Sequence, residues 1–317
     1  MCELQDAWSR REKRGLLAES EALRIFHGPG EGVGDTRDIA IDRFGDHYWV
    51  TQWESPEMKS DLTKRVTEFL GGIGARSAVM LRRPAKGVPA EASAILGAPP
   101  AEAFAVAEGR GRFLIRLIGV THPGLFLDHA PLRTWLAKHS REWKVLNTFA
   151  YTGSLSVAAG LGGASHVTTL DLSKTTLDWA RENWKCNGLS EGSGRFISGD
   201  VFEWLPRLKR SNEKFDCVIL DPPSFSRGKK GSFSTAKDLE KLHELAMRVL
   251  GPQGVLITSI NSSNVTWKRF ETDVASAAKS AGREFEVLHR IELPESFPVR
   301  PEAPEEGYLK GWVLKAR

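Results

Sequence analysis

The sequence predicts an α/β protein in which a doubly wound parallel sheet is preceded by a small N-terminal α+β unit. Two observations carry this expectation. From residue 144 onward, short apolar runs alternate with helical runs, the pattern of successive βαβ units. Before residue 120 the pattern is a hairpin, one helix and further strands, and His122-Pro123-Gly124 interrupts it. The division is therefore expected at 121/122, giving a small domain over 1–121 and a larger one over 122–317.

Taken in order, residues 38–43 and 47–53 alternate apolar and polar side chains across Phe44-Gly45-Asp46, a hairpin signal. Residues 57–70 place Leu62, Val66, Phe69 and Leu70 on one helical face and stop at Gly71-Gly72. Strands are expected at 77–82 and 112–118, and the Ala-, Gly- and Pro-rich stretch 86–111 reads as loop. In the larger domain, strands are expected at 144–149, 167–170, 195–198, 215–220 and 255–259. Helices at 154–161, 174–187, 201–208 and 238–250 separate them, the last stopped by Gly251-Pro252. A helix at 267–281 and strands around 285–292 and 308–315 complete the domain.

Composition narrows the class. A chain of 317 residues with 41% hydrophobic content buries a substantial core and is not a disordered protein. No run approaches the roughly 18 apolar residues of a membrane span. The start, MCELQDAWSRREKRG, lacks the apolar segment of a secretory signal, so a cytoplasmic protein with no membrane partner is expected. Cys2, Cys186 and Cys217 are too few for a disulfide framework and show no metal-ligand spacing, so no metal is expected. The net charge of +4 permits an RNA partner without demanding one. The clusters Arg10-Arg11-Lys13-Arg14, Arg82-Arg83-Lys86, Arg207-Lys209-Arg210 and Arg227-Lys229-Lys230 are expected to be solvated faces.

In an open α/β sheet, ligands bind beyond the carboxyl ends of the strands. The first strand of the larger domain runs into Phe149-Ala150-Tyr151-Thr152-Gly153-Ser154, a turn opening a helix. The second strand ends at Asp171, an acid placed to accept two ribose hydroxyls, and the third ends at Gly199-Asp200. The single glycine of the turn departs from the GxGxxG pattern that lets a backbone approach a pyrophosphate. A cofactor with a nucleoside and no phosphate fits better, and S-adenosylmethionine is the candidate. The fourth strand ends at Asp221-Pro222-Pro223-Ser224-Phe225, where two prolines stop strand pairing and hold a carboxylate on a rigid turn.

The segments NTFAYTGSLSVAAGLGGA, TTLDLSKTTLDWARENWKCNGL, FDCVILDPPSFSRGKK and GLFLDHAPLR together resemble the class I S-adenosylmethionine-dependent RNA methyltransferases of large-subunit ribosomal RNA. The nearest likeness is to the guanine-N7-methylating C-terminal half of the bifunctional guanine methyltransferase. The cytosine-C5 methyltransferases come next, sharing the FLD segment, the DPP turn and a terminal PE…YLK stretch, here Pro301-Glu302 and Tyr308-Leu309-Lys310. The likeness runs from about residue 22 to the end and implies a Rossmann-like sheet closed by an antiparallel strand.

By position, the resemblance puts Phe149, Tyr151, Thr152, Gly153 and Ser154 around the methionine and ribose of the cofactor. It puts Asp171 on the ribose, Leu172 and Ser173 beside the adenine, and Asp200 and Val201 against the adenine edge. Asp221, Pro222 and Pro223 would border the transferred methyl and the target base, with Phe126, Asp128 and Arg133 closing over the cofactor. The last trio reads equally well as a hydrogen-bond network between domains. RNA is expected to meet the small domain and the Arg227-Gly228-Lys229-Lys230 loop.

Cytosine C5 is not nucleophilic, and its methylation begins with addition of a cysteine thiolate. In the cytosine-C5 family that cysteine follows the strand after the DPP helix; here the stretch reads Thr258-Ser259-Ile260-Asn261-Ser262-Ser263. Guanine N7 carries an in-plane lone pair and needs only alignment with the methyl donor. Direct displacement at guanine N7 is therefore expected, with Asp221 and Asn261 holding the base and Phe225 stacking on it, although Asn261 reads equally well as a loop cap. The alternative is the cytosine-C5 reaction. A Rossmann dehydrogenase does not account for the DPPS turn, and a non-catalytic RNA-binding relative does not account for Asp171, Asp200 and Asp221 together. The hairpin begins at Asp38, with 37 residues before it, so no PUA-type accessory domain is expected. The RNA could then be a different one, or a protein partner could deliver it.

Overall fold

A computed structural model describes residues 2–53, 60–83, 89–228, 231–262, 264–302 and 307–317. The chain forms two compact units, Met1–Ala130 with Leu293–Glu306, and Pro131–Glu292 with Gly307–Arg317. The first break falls after Ala130 instead of at 121/122, and a late segment expected in the larger domain joins the smaller unit.

The first unit contains α1 (Cys2–Lys13), α2 (Leu16–Glu19), β1 (Ala22–His27), α3 (Gly28–Glu31), β2 (Ile39–Phe44), β3 (His47–Trp53), α4 (Ser60–Gly72), β4 (Ser77–Arg83), β5 (Glu91–Leu96), β6 (Phe104–Glu108) and β7 (Gly111–Ile115). Strands β1 to β5 lie side by side in chain order. Neighbours are antiparallel except β3 and β4, which run parallel because α4 supplies the crossover between them. The stretch expected as loop over 86–111 instead contains β5 and β6. Side chains of β5 are exposed or half-buried, so hydrophobic alternation is weak there, and the backbone ladder to β4 holds it as an edge strand. β6 pairs with β7 across Gly109-Arg110, where Gly109 takes the left-handed conformation, φ 57°.

The first basic cluster is not uniformly a solvated face. Its residues fall on and just after α1, and Arg11 is only 3% exposed. The Arg11 guanidinium donates to both carboxylate oxygens of Glu31, at 3.1 and 2.8 Å, and to the Ser296 carbonyl at 2.7 Å. Arg300 donates to the Pro29 carbonyl at 2.6 Å, and the Arg24 guanidinium lies 4.2 Å from the centre of the Phe297 ring. These bonds explain why the late segment belongs to the first unit.

The second unit continues from α5 (Ala130–His139) through β8 (Lys144–Thr148), α6 (Ser154–Leu161), β9 (His166–Asp171), α7 (Lys174–Cys186), β10 (Gly194–Ser198), α8 (Val201–Arg210) and β11 (Phe215–Leu220). The hairpin β12 (Phe225–Gly228) and β13 (Gly231–Ser234) follows, then α9 (Thr235–Met247), β14 (Leu250–Ile260), α10 (Trp267–Ala281), β15 (Phe285–Arg290) and β16 (Lys310–Ala316). The sheet order is β10-β9-β8-β11-β14-β16-β15, parallel from β10 to β14, with β16 inserted antiparallel between β14 and β15. This is the Rossmann-like doubly wound sheet with a final antiparallel strand that the sequence predicts. From β8 the chain proceeds one way, to β9 and β10, and from β11 the other way, to β14. Right-handed crossovers then place α6 and α7 on one face and α8 and α9 on the opposite face. On the latter side Leu205, Val218, Leu242, Leu256 and Phe270 form part of one continuous core.

Two boundaries differ from expectation in an informative way. The helix expected at 238–250 runs from Thr235 to Met247, and β14 begins at Leu250, ahead of Gly251-Pro252. Leu250 pairs with Phe215 and Val255 with Cys217, so residues 251–254 bulge out of the ladder. The proline thus avoids donating to the sheet. Arg227 lies in β12 and not in a loop, while Lys229 and Lys230 are outside the described residues. Among the described residues no helix is long and apolar enough to cross a membrane.

His243 is buried on α9, with Nε2 2.7 Å from the Thr258 hydroxyl of β14, and burial pushes its pKa down to about 3. The folded chain therefore holds this ring neutral, while the unfolded chain takes up a proton below the ordinary 6.5. Stability from this source is complete above about pH 6.5 and is lost as pH falls toward 3. In His243→Gln the decline of unfolding free energy over that interval should be shallower by up to about 1.4 kcal/mol per pH unit. Equal slopes in urea titrations of the two proteins would show that the native ring protonates freely.

Candidate active site

The parallel register aligns the carboxyl ends of five strands. Thr148 of β8 is level with Leu170 of β9 and Leu220 of β11; Asp171 is level with Ser198 of β10, and Leu220 with Thr258 of β14. The residues that follow stand along one edge in the order Asp200, Asp171, the 149–154 turn, Asp221 and Asn261. Between β8 and β11 the winding reverses, which opens the crevice characteristic of ligand sites in such sheets. The 149–154 turn and the Asp221-Pro222 turn flank that crevice.

The turn is conformationally strained. Phe149 and Tyr151 each have φ 52° and Gly153 has φ 74°, so three of five consecutive residues are left-handed. Such conformations cost free energy at non-glycine residues and persist where surrounding bonds over-determine them. Those bonds are present here. The Tyr151 N–H donates to Asp171 Oδ2 at 2.8 Å, the Ala150 N–H to the Leu170 carbonyl at 3.2 Å, and Asn183 Nδ2 to the Thr152 carbonyl at 2.9 Å. Beneath the turn, Ser156 links Asn147 and Thr169 through hydroxyl contacts of 2.9 and 2.8 Å. Arg133, buried on α5, donates to the Ser154 hydroxyl at 3.4 Å.

Asp171 also receives the Ser173 N–H at 2.8 Å and the Thr176 hydroxyl at 3.3 Å. Burial raises its pKa above the ordinary carboxylate value, and the Ser173, Tyr151 and Thr176 bonds work against that shift. Burial, followed by the neighbouring Asp171 carboxylate, pushes the Tyr151 hydroxyl upward. Ser173 caps α7 by accepting the Thr176 N–H at 3.3 Å, and Leu172 before it is exposed. Asp200 caps α8 in the same way, accepting the Phe202 N–H on Oδ1 at 2.8 Å ahead of buried Val201.

On the other side of the crevice, Asp221 Oδ1 accepts the Ser259 hydroxyl at 2.8 Å. Pro222 is buried and Pro223 exposed. Asn261 is exposed, two residues beyond Ser259. Phe225 is 53% exposed at the start of β12. The hairpin's Phe233 lies 5.8 Å from the Phe149 ring and 5.5 Å from that of Phe202, centre to centre. Cys217 is fully buried inside β11, where burial pushes its thiol above the ordinary range, and Cys186 lies on α7. Neither stands on the sheet edge.

Of the residues singled out in the sequence, the structure gathers Phe149 to Ser154, Asp171 to Ser173, Asp200, Val201, Asp221 to Pro223 and Asn261 on that edge. Arg133 reaches it through Ser154. Phe126 and Asp128 belong to the first unit, where Phe126 packs 5.1 Å from His122 and Asp128 lies 3.1 Å from His129 Nδ1. Sequence reasoning missed Ser259, Thr176 and Asn183. Only Asn183 carried a usable signal, a polar residue on the apolar face of an amphipathic helix.

A Cβ at Gly153 would stand 2.9 Å from the Ala180 Cβ, on a backbone that L-residues avoid. Gly153→Ala should therefore lower the unfolding free energy in urea by about 1–2 kcal/mol. An unchanged midpoint would show that the turn relaxes without cost.

Residues 23–310 match the S-adenosylmethionine-dependent methyltransferase family. The chain is 34% identical over 316 residues to the "Ribosomal RNA large subunit methyltransferase I" of Aeromonas hydrophila, covering 97% of this chain and 78% of that protein. It is 35% identical over 242 residues to the protein of the same name from Aeromonas salmonicida, covering 76% of this chain and 61% of that relative. Among solved structures, it superposes on the methyltransferase SMU.776, solved as a complex with S-adenosylhomocysteine. The TM-score is 0.87 at 25% identity, with 98% of this chain and 80% of that one covered. By its sequence, its sheet topology and the residues at its strand ends, the chain belongs to the S-adenosylmethionine-dependent methyltransferase family.

Proposed function

We propose that this enzyme methylates a nucleobase of large-subunit ribosomal RNA in the cytoplasm, with guanine N7 as the accepting atom. The RNA class is supported by the names of the relatives, which are ribosomal RNA large-subunit methyltransferases. The choice of atom is supported by the sheet edge itself, where Asp221 and Asn261 stand together and neither described thiol is present.

The residues fit the cofactor. When bound, S-adenosylmethionine supplies an electrophilic methyl group on a sulfonium. Asp171 binds the ribose hydroxyls. Its bonds from the Tyr151 and Ser173 N–H groups are short, so the longer Thr176 bond is the one that yields. Phe149, Tyr151, Thr152, Gly153 and Ser154 enclose the methionine and ribose, and Leu172 and Ser173 flank the adenine. Asp200 spends one oxygen on its helix cap and offers the other to the adenine amine beside Val201. Arg133, which donates to the Ser154 hydroxyl, would close over the cofactor. Asp221, Pro222 and Pro223 border the methyl and the base.

The target base leaves its stack to reach this edge, and Phe225 stacks on it. Asp221 and Asn261 would hold the edge of the guanine that carries the N7 lone pair. S-adenosylmethionine, when bound, would supply the methyl group, and the in-plane N7 lone pair would accept it with no proton to be removed. Arg227, Lys229, Lys230 and the first unit engage the RNA backbone, a salt-dependent contribution.

Asp171→Ala should weaken S-adenosylmethionine binding at least about tenfold in calorimetry, the equivalent of about 1.4 kcal/mol. Asp221→Ala should bind it normally and lose transfer of tritiated methyl to ribosomal RNA from a strain lacking this gene. Nucleoside mass spectrometry should then find 7-methylguanosine with the native enzyme; 5-methylcytidine would overturn the choice of atom. Reversing the charge of Lys229 and Lys230 should weaken RNA binding at low salt, and an unchanged affinity would remove the hairpin from the RNA footprint.

A further inference from the structure

Lys310 opens β16 and is the only lysine among the described residues counted as buried, at 7% exposure. Its backbone pairs with Ile260, the last residue of β14, which immediately precedes Asn261. Its ammonium donates to the Ser262 carbonyl at 3.2 Å and to the Tyr308 carbonyl at 3.0 Å. Burial draws its pKa down. A buried ammonium ordinarily takes a carboxylate partner, and an apolar side chain of similar length would cost the fold less. A cation held between two main-chain carbonyls therefore calls for a role beyond stability.

The run 259–262 supplies that role. Ser259 is tied to Asp221, Ile260 to the β16 ladder and Ser262 to Lys310. Asn261 between them is exposed, and no bond to its side-chain amide is found among the described residues. Its position is therefore set by backbone anchors on either side. The Tyr308 carbonyl belongs to the stretch by which the chain re-enters the second unit after Leu293–Glu306.

We propose that Lys310 is a positioning residue for base recognition: by joining the Ser262 and Tyr308 carbonyls, it fixes the backbone that presents Asn261 to the target base. This rests on the reading of Asn261 as a base-holding residue.

A double-mutant cycle tests it, with kcat for RNA methylation as one readout and S-adenosylmethionine affinity by calorimetry as the other. Lys310→Met should lower kcat at least about tenfold and leave cofactor affinity within about twofold. Combined with Asn261→Ala it should lower kcat little further than Asn261→Ala alone, because both changes remove the same presentation. Lys310→Arg, which keeps donors for both carbonyls, should recover most of the loss. Full kcat in Lys310→Met, losses that multiply in the double variant, or an arginine variant no better than the methionine one would each overturn the proposal. Should Lys310→Met fail to fold, Lys310→Arg carries the cycle, and any loss it shows must vanish in the Asn261→Ala background. An Asn261→Ala enzyme with full activity overturns the base-holding reading itself, whatever Lys310 does.

Discussion

Parallel strands in register bring their carboxyl ends to one level, and the chemistry of this protein depends on that alignment. Thr148, Leu170, Leu220 and Thr258 sit side by side across four strands, so Phe149, Asp171 and Asp221 follow at one level, and Ser259, next in β14, bonds to Asp221. A slip of one residue in any strand would exchange the side chains packed on its two faces and withdraw its terminal side chain from the edge. Burial on both faces makes such a slip costly. The apolar core thus sets where the polar residues stand, although it takes no part in the reaction.

Asp171 shows how scaffold and site share one group. Its carboxylate bonds to the Tyr151 N–H on one side and to the Ser173 N–H at the start of α7 on the other. The first bond holds a left-handed tyrosine in place, and the second fixes the helix start. Burial disfavours the charge while these donors favour it, and the balance still leaves the pKa raised. Asp200 likewise serves the scaffold, capping α8 through Oδ1. Removing either acid disturbs the frame itself, so variants at these positions need a binding readout and a stability readout together.

The path of the chain adds a second constraint. After β15 the chain leaves the sheet unit, joins the first unit over Leu293–Glu306, and returns to form β16 between β14 and β15. The excursion is held by Arg11, whose guanidinium reaches both Glu31 and Ser296. The return begins at Gly307, three residues before Lys310. Strand β16 and the buried Lys310 beside Ser262 therefore follow directly from a segment belonging to the other unit.

The sheet class, most strands and helices of the second unit and the acids at the strand ends were legible in the amino-acid sequence. These features are local: apolar runs mark buried strands, and polar residues just beyond them mark the edge. The strand–helix alternation around Gly153 and the Asp221-Pro222-Pro223 turn could be read without knowing what packs against them. Features that depend on distant partners emerge only when the chain is folded. β5 exists because β4 pairs with it, Arg11 is buried because Glu31 and Ser296 meet it, and residues 251–254 bulge because β11 fixes the register on either side. Ser259 reaches Asp221 across 38 residues and Lys310 reaches Ser262 across 48. Neither contact leaves a trace in local pattern, because hydrogen bonds between adjacent strands are set by sheet order and not by spacing along the chain.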